Sequence, residues 1–124
     1  MDISSRDFLK QKSSPKKRAK FNAVKKNIDG FCFDSKLEAK RYVELKNLHN
    51  IGIIKNLGVH VKFPLFINDI KVTTYEADFV YTDSDDNYIV EDTKGVLTPE
   101  YRIKKKLMRA ILDIDIIEIY ANKK

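Results

Sequence analysis

The clearest alternation of apolar and polar positions runs from Tyr75 to Lys94, on both sides of a polar centre at residues 82–87. Side chains on a β-strand alternate between its two faces, and Asp, Ser and Asn favour turns. The pattern therefore predicts a β-hairpin that folds symmetrically about Asp85 and sets Val80 opposite Val90.

The same register would set Asp78 opposite Asp92 and Glu76 opposite Lys94. Like charges that face each other across two strands destabilise a sheet unless a cation lies between them. Two close carboxylates with a lysine beside them suit a Mg²⁺ site for phosphodiester chemistry, because Mg²⁺ prefers oxygen ligands. The alternative is a different register in which these charges lie on a solvated face.

A first helix is predicted to follow Ser35, because Ser35 and Glu38 have the spacing of a capping box. It should end near Asn50, ahead of a glycine. At 100° per residue, Glu38 lies on one stripe with Tyr42 and Leu45, which suggests that its carboxylate faces inward. Glu38 is therefore either a reciprocal cap at the helix start or an inward-facing acid, and the two roles can coexist.

A second helix is predicted from Pro99 to Leu112, with Thr98 as its N-cap. Its apolar residues form the predicted buried stripe: Ile103, Leu107, Ala110 and Ile111. Its basic residues cluster on another side, and they suit either a nucleic-acid backbone or an ordinary solvated face: Arg102, Lys105, Lys106 and Arg109.

The remaining apolar runs predict strands. Residues 59–67 contain Pro64 and predict an edge strand or a bulge. His60 within this run is interpreted as a surface or rim residue and not as a ligand. The last strand, residues 114–120, should lie parallel to the strand that ends at Lys94. The fold class is α/β: a mixed β-sheet flanked by helices, in the order α-β-β-β-α-β.

Composition adds a basic N-terminal arm. Residues 1–26 hold nine Lys and Arg against two Asp, whereas the other 98 residues hold 15 against 16. We expect this arm to be disordered and to grip phosphates, or else to act only as a solubilising tail; residues 30–124 would form the folded domain. Its candidate DNA-binding residues are Lys16, Lys17, Arg18 and Lys20.

Membrane and secretory classes are excluded by the pattern. The sequence has no run of 18 apolar residues and no apolar core behind its N-terminal charges. Its one cysteine, Cys32, cannot form an internal disulfide, which fits a reducing cytoplasm.

The ordered set of helix glutamate, strand aspartate, D-x-K and a basic helix begun by Thr-Pro resembles the PD-(D/E)xK nuclease superfamily, with its restriction-endonuclease-like fold. The resemblance covers residues 31–120 and is closest to a small group of phage and prophage endonucleases. The motifs that carry it are F-D-S-K-L-E-A-K-R-Y, Y-E-A-D-F, V-E-D-T-K-G and T-P-E-Y-R-I-K-K-K-L. Ala77 stands where the superfamily often has proline.

The resemblance implies Mg²⁺-dependent hydrolysis of DNA, with Mn²⁺ able to substitute. Asp78, Asp92 and the Thr93 carbonyl would bind the metal, and Glu38 would complete the site. Lys94 would position the attacking water and stabilise the phosphate in the transition state. The DNA backbone would be held by the arm and by Tyr101, Arg102, Lys105 and Lys106.

These expectations describe a DNA endonuclease of phage or prophage DNA metabolism, acting in the bacterial host cytoplasm. With no base-reading motif evident, structure-selective or weakly specific cutting is expected. Branched DNA such as a Holliday junction is one such target, and it would favour a homodimer that cuts two strands. The alternatives are a non-catalytic DNA-binding module on the same scaffold, and cleavage of RNA.

Overall fold

The computed structural model describes residues 25–94 and 97–121. The chain divides into two compact units, Met1–Ala39 and Lys40–Lys124. Residues 1–24 lie outside the described residues, and with them the candidate DNA-binding residues of the arm: Lys16, Lys17, Arg18 and Lys20.

The described part of the first unit begins with a small antiparallel hairpin. Strand β1 (Lys26–Ile28) pairs with β2 (Phe31–Phe33). Asp29 and Gly30 join them with φ of 54° and 86°. Two consecutive positive φ angles characterise the tight turns whose twist matches that of paired strands. The basic segment predicted as an arm therefore ends in ordered structure at Lys26.

Helix α1 (Lys36–Asn50) has the predicted bounds, and it starts in the first unit and continues in the second. The Glu38 amide donates to Ser35 Oγ at 3.1 Å, which confirms Ser35 as the N-cap. The Glu38 carboxylate accepts from the Asp34 amide at 3.3 Å. Its side chain is nevertheless buried, so Glu38 is both a cap and an inward-facing acid.

The second unit contains a four-stranded mixed sheet, which confirms the predicted α/β class. Its strands are β3 (Lys55–Ile67), β4 (Ile70–Thr82), β5 (Tyr88–Thr93) and β6 (Ile117–Ile119), in the spatial order β3-β4-β5-β6. The first three strands are antiparallel, and β6 pairs with β5 in parallel as predicted.

The predicted register of the β4–β5 hairpin is confirmed. Val80 lies opposite Val90 and Phe79 opposite Glu91, so the next pair in this register sets Asp78 opposite Asp92. The turn is closed by the Asp83 carboxylate, whose Oδ1 accepts from two backbone amides at 2.9 Å. This is the local side-chain bonding that makes Asp a turn residue.

Strand β3 is one long edge strand with irregular pairing. The register shifts between Lys55 and Gly58 and again between Leu65 and Phe66. The edge position and the bulge predicted for this strand are confirmed. A two-residue turn, with positive φ at both of its residues, connects β3 to β4.

Helix α2 (Pro99–Leu112) begins as predicted, with Thr98 Oγ1 accepting from the Tyr101 amide. The predicted buried stripe is partly wrong. Ile103 is 60% exposed and Ala110 is also exposed, whereas Tyr101 and Met108 are buried. These two residues lie seven positions apart, which is two helical turns, so the buried face is rotated towards them.

The core of the second unit lies between α2 and the sheet. It contains Leu65, Tyr75, Ala77, Val80, Val90, Tyr101, Met108 and Ile116. The last strand is shorter than the predicted 114–120, because the chain leaves α2 through a left-handed residue, Asp113, and is irregular up to Ile116. Within residues 25–94 and 97–121, no helix is long and apolar enough to cross a membrane.

Candidate metal centre and basic cleft

Asp92 is the most constrained acid of the predicted site. It lies on β5 and is 6% exposed. Its Oδ2 accepts a hydrogen bond of 2.6 Å from the Tyr75 hydroxyl, and its Oδ1 lies 3.3 Å from Lys94 Nζ. Both oxygens therefore have defined partners, and the carboxylate is held in one orientation.

The Lys94 ammonium is held from two sides. Besides Asp92, it lies 3.5 Å from the centre of the Tyr101 ring, a cation–π contact. The Lys94 side chain is only 13% exposed. The first turn of α2 therefore fixes the amine of the D-x-K motif beside the acid that precedes it.

Asp78 is oriented by the residue between Asp92 and Lys94. Its Oδ2 accepts from both the amide and the hydroxyl of Thr93, each at 2.8 Å. The resemblance assigned only the Thr93 carbonyl to the site. The structure adds that Thr93 joins the two acidic strands through Asp78, a contact that residue spacing does not reveal.

Burial raises the pKa of Asp92 from 3.8 to about 6. The hydrogen bond from Tyr75 and the charge of Lys94 lower this pKa, whereas the neighbouring Asp78 raises it. The charge of Asp92 is thus only partly compensated by the groups around it. A divalent cation would favour the ionised form of both carboxylates, so the donor set fits a hard metal ion such as Mg²⁺ or Mn²⁺.

His60 on β3 lies beside Asp78. A His60 ring nitrogen and an Asp78 carboxylate oxygen lie within 4.8 Å of one another, and both side chains are half-buried. The structure half-buries His60 and brings it beside Asp78, a neighbourhood that its interpretation as a surface or rim residue did not include. A count from the β3–β4 turn sets His60 opposite Ala77, and the shift between Leu65 and Phe66 moves it opposite Asp78.

A cleft of about 660 Å³ opens beside Asp92 and Lys94. Glu76 and Glu100 contribute the other acids of its wall. Its lysines come from three elements, β3, β4 and α2, and from the end of β5: Lys62, Lys71, Lys104 and Lys94. Sequence reasoning missed Lys62, Lys71 and Lys104, because only the fold brings residues so far apart in sequence to one cleft.

The basic residues predicted to bind DNA on α2 lie beside a different cavity, of about 650 Å³, which shares Tyr101 with the cleft. These residues are Arg102, Lys105 and Lys106. Lys105 Nζ lies 2.8 Å from Glu118, whose carboxylate also accepts from the Tyr101 hydroxyl. Hydrogen bonding from Lys105, and then from Tyr120 and Tyr101, lowers the pKa of Glu118 from 4.5 to about 2.

Glu38 belongs to the first unit, where it is buried and bonded to the Asp34 amide. Its assignment as the third carboxylate of the site stays a prediction. The DNA-binding role of the α2 residues also stays a prediction.

Comparison with curated proteins and with solved structures found no match. A family model matches residues 18–120, which include the whole of the site described above. The chain therefore belongs to the family described as "Protein of unknown function (DUF1064)".

Proposed function

We propose that this chain is a divalent-metal-dependent endonuclease that hydrolyses phosphodiester bonds of DNA in phage or prophage DNA metabolism. The observation that carries the proposal is the joined arrangement of Asp78, Asp92 and Lys94. Thr93 bonds to Asp78, and Lys94 Nζ lies 3.3 Å from Asp92. Two acids and an amine with this contact pattern suit phosphodiester hydrolysis better than a structural ion pair, which needs one acid.

The metal site would be formed by Asp78, Asp92 and the Thr93 carbonyl, with Glu38 as the further acid assigned by the resemblance. A bound Mg²⁺ or Mn²⁺ would polarise the phosphate and favour ionisation of a water molecule. The chain's own contribution is orientation, because both carboxylates are fixed by hydrogen bonds before any ligand arrives.

Lys94 would orient the attacking water and offset the negative charge that develops on the phosphate. Its contacts support this role. Asp92 and the Tyr101 ring hold the ammonium at the wall of the cleft with 13% of the side chain exposed. A cation fixed in a poorly hydrated place stabilises charge more than one in water.

The cleft supports a polyanionic substrate. Lys62, Lys71 and Lys104 are spread around the acids at a spacing set by three separate elements. Phosphate contacts of this kind position a nucleic-acid backbone without reading its bases. We propose that the strand to be cut lies in this cleft, and that the N-terminal arm and the α2 basic residues hold flanking DNA. We propose branched DNA as the substrate, a homodimer as the active form and the cytoplasm of a bacterial host as the compartment.

The test is a cleavage assay with linear, flapped, forked and four-way DNA, in Mg²⁺, in Mn²⁺ and in EDTA. We expect metal-dependent cutting by the wild type. Lys94→Ala and Asp92→Ala should lower the rate by at least about 100-fold while DNA affinity changes by less than about threefold. Glu100→Gln is the matched control, since Glu100 lines the same cleft and is exposed.

Metal-independent DNA binding with no cleavage of any substrate would refute the nuclease and leave the non-catalytic DNA-binding module. Cleavage of matched RNA but not of DNA would support phosphodiester hydrolysis at this site and refute DNA as the substrate. A loss of DNA affinity in Lys94→Ala as large as its loss of rate would contradict the role given to the amine.

The path of the strand is tested by the salt dependence of DNA binding. Lys62→Ala should weaken binding and reduce the slope of log K against log salt by ~0.9 for a contact to duplex DNA. Lys55→Ala is the control, because Lys55 lies on the same strand, beside Asp86 and outside the residues that line the cleft. Equal effects of the two substitutions would argue against the cleft.

A further inference from the structure

We infer that His60 is a direct ligand of the divalent cation bound by Asp78, and that it makes the site prefer Mn²⁺ to Mg²⁺. The inference deepens the proposed function, since it concerns the same metal site. It adds a nitrogen ligand to a set that the sequence predicted to be all oxygen.

The pairing of β3 with β4 puts His60 in reach. The paired residues on either side are Val59 with Phe79 and Val61 with Ala77, so His60 lies directly opposite Asp78. Directly opposite residues have the closest cross-strand contact between side chains.

The distance fits two ligands of one ion. The His60 nitrogen and the Asp78 oxygen lie within 4.8 Å. Ligand atoms at ~2.1 Å from a shared metal lie ~3 Å apart when adjacent and ~4.2 Å apart when opposite. A small adjustment of the half-buried imidazole is enough to reach either arrangement.

The backbone at His60 is unusual for a strand. Its φ is 55°, in the left-handed region, and its neighbours on both sides stay paired with β4. A residue other than glycine adopts this conformation rarely within a strand, and such conformations cluster at functional sites. The partner carboxylate is fixed as well, because Thr93 donates two hydrogen bonds to Asp78.

The chemistry of imidazole sets the metal preference. Mg²⁺ takes oxygen ligands almost exclusively and keeps several waters, whereas imidazole suits transition metals. Mn²⁺ accepts carboxylate oxygen together with an imidazole nitrogen. A site with His60 and Asp78 should therefore bind Mn²⁺ more tightly than a site with carboxylates alone, and gain little for Mg²⁺.

The test is calorimetric titration of the full chain with MnCl₂ and with MgCl₂. We expect the wild type to bind Mn²⁺ at least about tenfold more tightly than Mg²⁺. His60→Ala should lose about tenfold in Mn²⁺ affinity and less than about threefold in Mg²⁺ affinity. His49→Ala is the control, since His49 lies exposed in the last turn of α1, and it should change neither.

A second measurement reads the bond itself. Pulsed electron paramagnetic resonance of the Mn²⁺ complex should show coupling to a ¹⁴N nucleus in the wild type and none in His60→Gln, whose side chain keeps polarity and similar reach. Thermal melting in EDTA shows whether each variant is folded. A wild-type spectrum without nitrogen coupling, or equal losses for both metals in His60→Ala, would overturn the inference and make His60 a residue that only positions Asp78.

The two proposals can fail separately. Nitrogen coupling that depends on His60, in a protein that cuts no DNA or RNA, would refute the nuclease and keep the ligand. Metal-dependent cleavage with no nitrogen coupling would support the nuclease and refute His60 as a ligand.

Discussion

Replacement of Asp92 by Asn should stabilise the metal-free protein while it removes the proposed activity. Burial and the adjacent Asp78 raise the pKa of Asp92 from 3.8 to about 6. A carboxyl whose pKa is raised in the folded state contributes stability that is complete below the unfolded pKa and is lost as pH rises through the folded pKa. At pH 8 Asp92 is ionised in the folded protein, and this ionised form lowers the free energy of unfolding.

The size of the effect follows from the shift. At 1.36 kcal/mol per pKa unit, the ionised Asp92 destabilises the metal-free fold by ~3 kcal/mol at pH 8. An asparagine keeps the shape and an oxygen for the Tyr75 hydroxyl, but its amide NH₂ replaces the oxygen that faces Lys94, and a buried donor without an acceptor costs about 1–2 kcal/mol. We therefore expect Asp92→Asn to raise the free energy of unfolding by ~1–2 kcal/mol.

The assay is urea unfolding in EDTA at pH 8 and at pH 5. Between the unfolded pKa of 3.8 and the folded pKa of about 6 the penalty shrinks as pH falls, to roughly half of its pH 8 value at pH 5. The gain should therefore be present at pH 8 and much smaller at pH 5. Glu100→Gln, at the exposed rim of the same cleft, should stay within ~0.5 kcal/mol of the wild type at both values. Saturating Mg²⁺ should reverse the order of Asp92→Asn and wild type, since a ligand at 100 times its Kd stabilises by ~2.7 kcal/mol.

An Asp92→Asn protein that is less stable than the wild type at pH 8 in EDTA would refute this reasoning. It would mean that Tyr75 and Lys94 together more than offset the burial of the charge. The acid would then be a structural ion-pair member, and the case for a metal at this place would lose its electrostatic support.

Three further predictions concern stability, and each is checked by urea unfolding. The comparison requires that the variant and the wild type have the same m value, the slope of the unfolding free energy against urea concentration. Glu91→Gln should lower the free energy of unfolding by ~3 kcal/mol, because it breaks a buried pair, whereas Glu44→Gln, at an exposed contact, should lower it by less than ~0.5 kcal/mol. Glu118→Gln should lower it by ~1–2 kcal/mol above pH 4.5, and the difference should vanish as pH falls through about 2, the depressed pKa of Glu118. Thr98→Ala should lower it by ~1 kcal/mol through the lost helix cap. A Glu91→Gln loss no larger than that of Glu44→Gln, a Glu118 difference independent of pH, or a neutral Thr98→Ala would each contradict the contact concerned.

The hairpin register could be predicted because its information is local. Asp83 closes the turn through its own side chain, and the two strands pair from Thr82 and Tyr88, the residues next to that turn. A turn that is closed symmetrically fixes the register of the two strands, so Val80 lies opposite Val90 as predicted. The two helix starts were predictable for the same reason, since each cap is a bond within four residues.

The rest of the site depends on information that is not local. One irregular step between Leu65 and Phe66 decides whether His60 faces Ala77 or Asp78. Pro64 predicts that this strand is irregular, but it does not predict by how many residues the register shifts. The buried face of α2 depends on Tyr101, whose hydroxyl needs a distant partner, Glu118, and a helical wheel contains no such partner. The lysines of the cleft could not be predicted either, because they come from separate elements that only the fold brings together.

Two buried acids stand side by side on β5, and their partners separate structure from chemistry. Glu91 accepts two hydrogen bonds from the Arg41 guanidinium, at 2.8 and 2.7 Å, and another from Tyr81, so its charge is fully paired. Asp92 has a phenol, one amine at 3.3 Å and a second acid nearby.

Because successive side chains on a strand point to opposite faces, the paired acid can hold α1 to the sheet while its neighbour opens into the cleft. Glu91 shows that this fold can bury an acid together with the cations and donors that compensate its charge. The fold therefore has no structural need for Asp92, a second buried acid whose charge is only partly compensated. Asp92, with only part of its charge compensated, is therefore the acid that the proposed function assigns to a divalent cation.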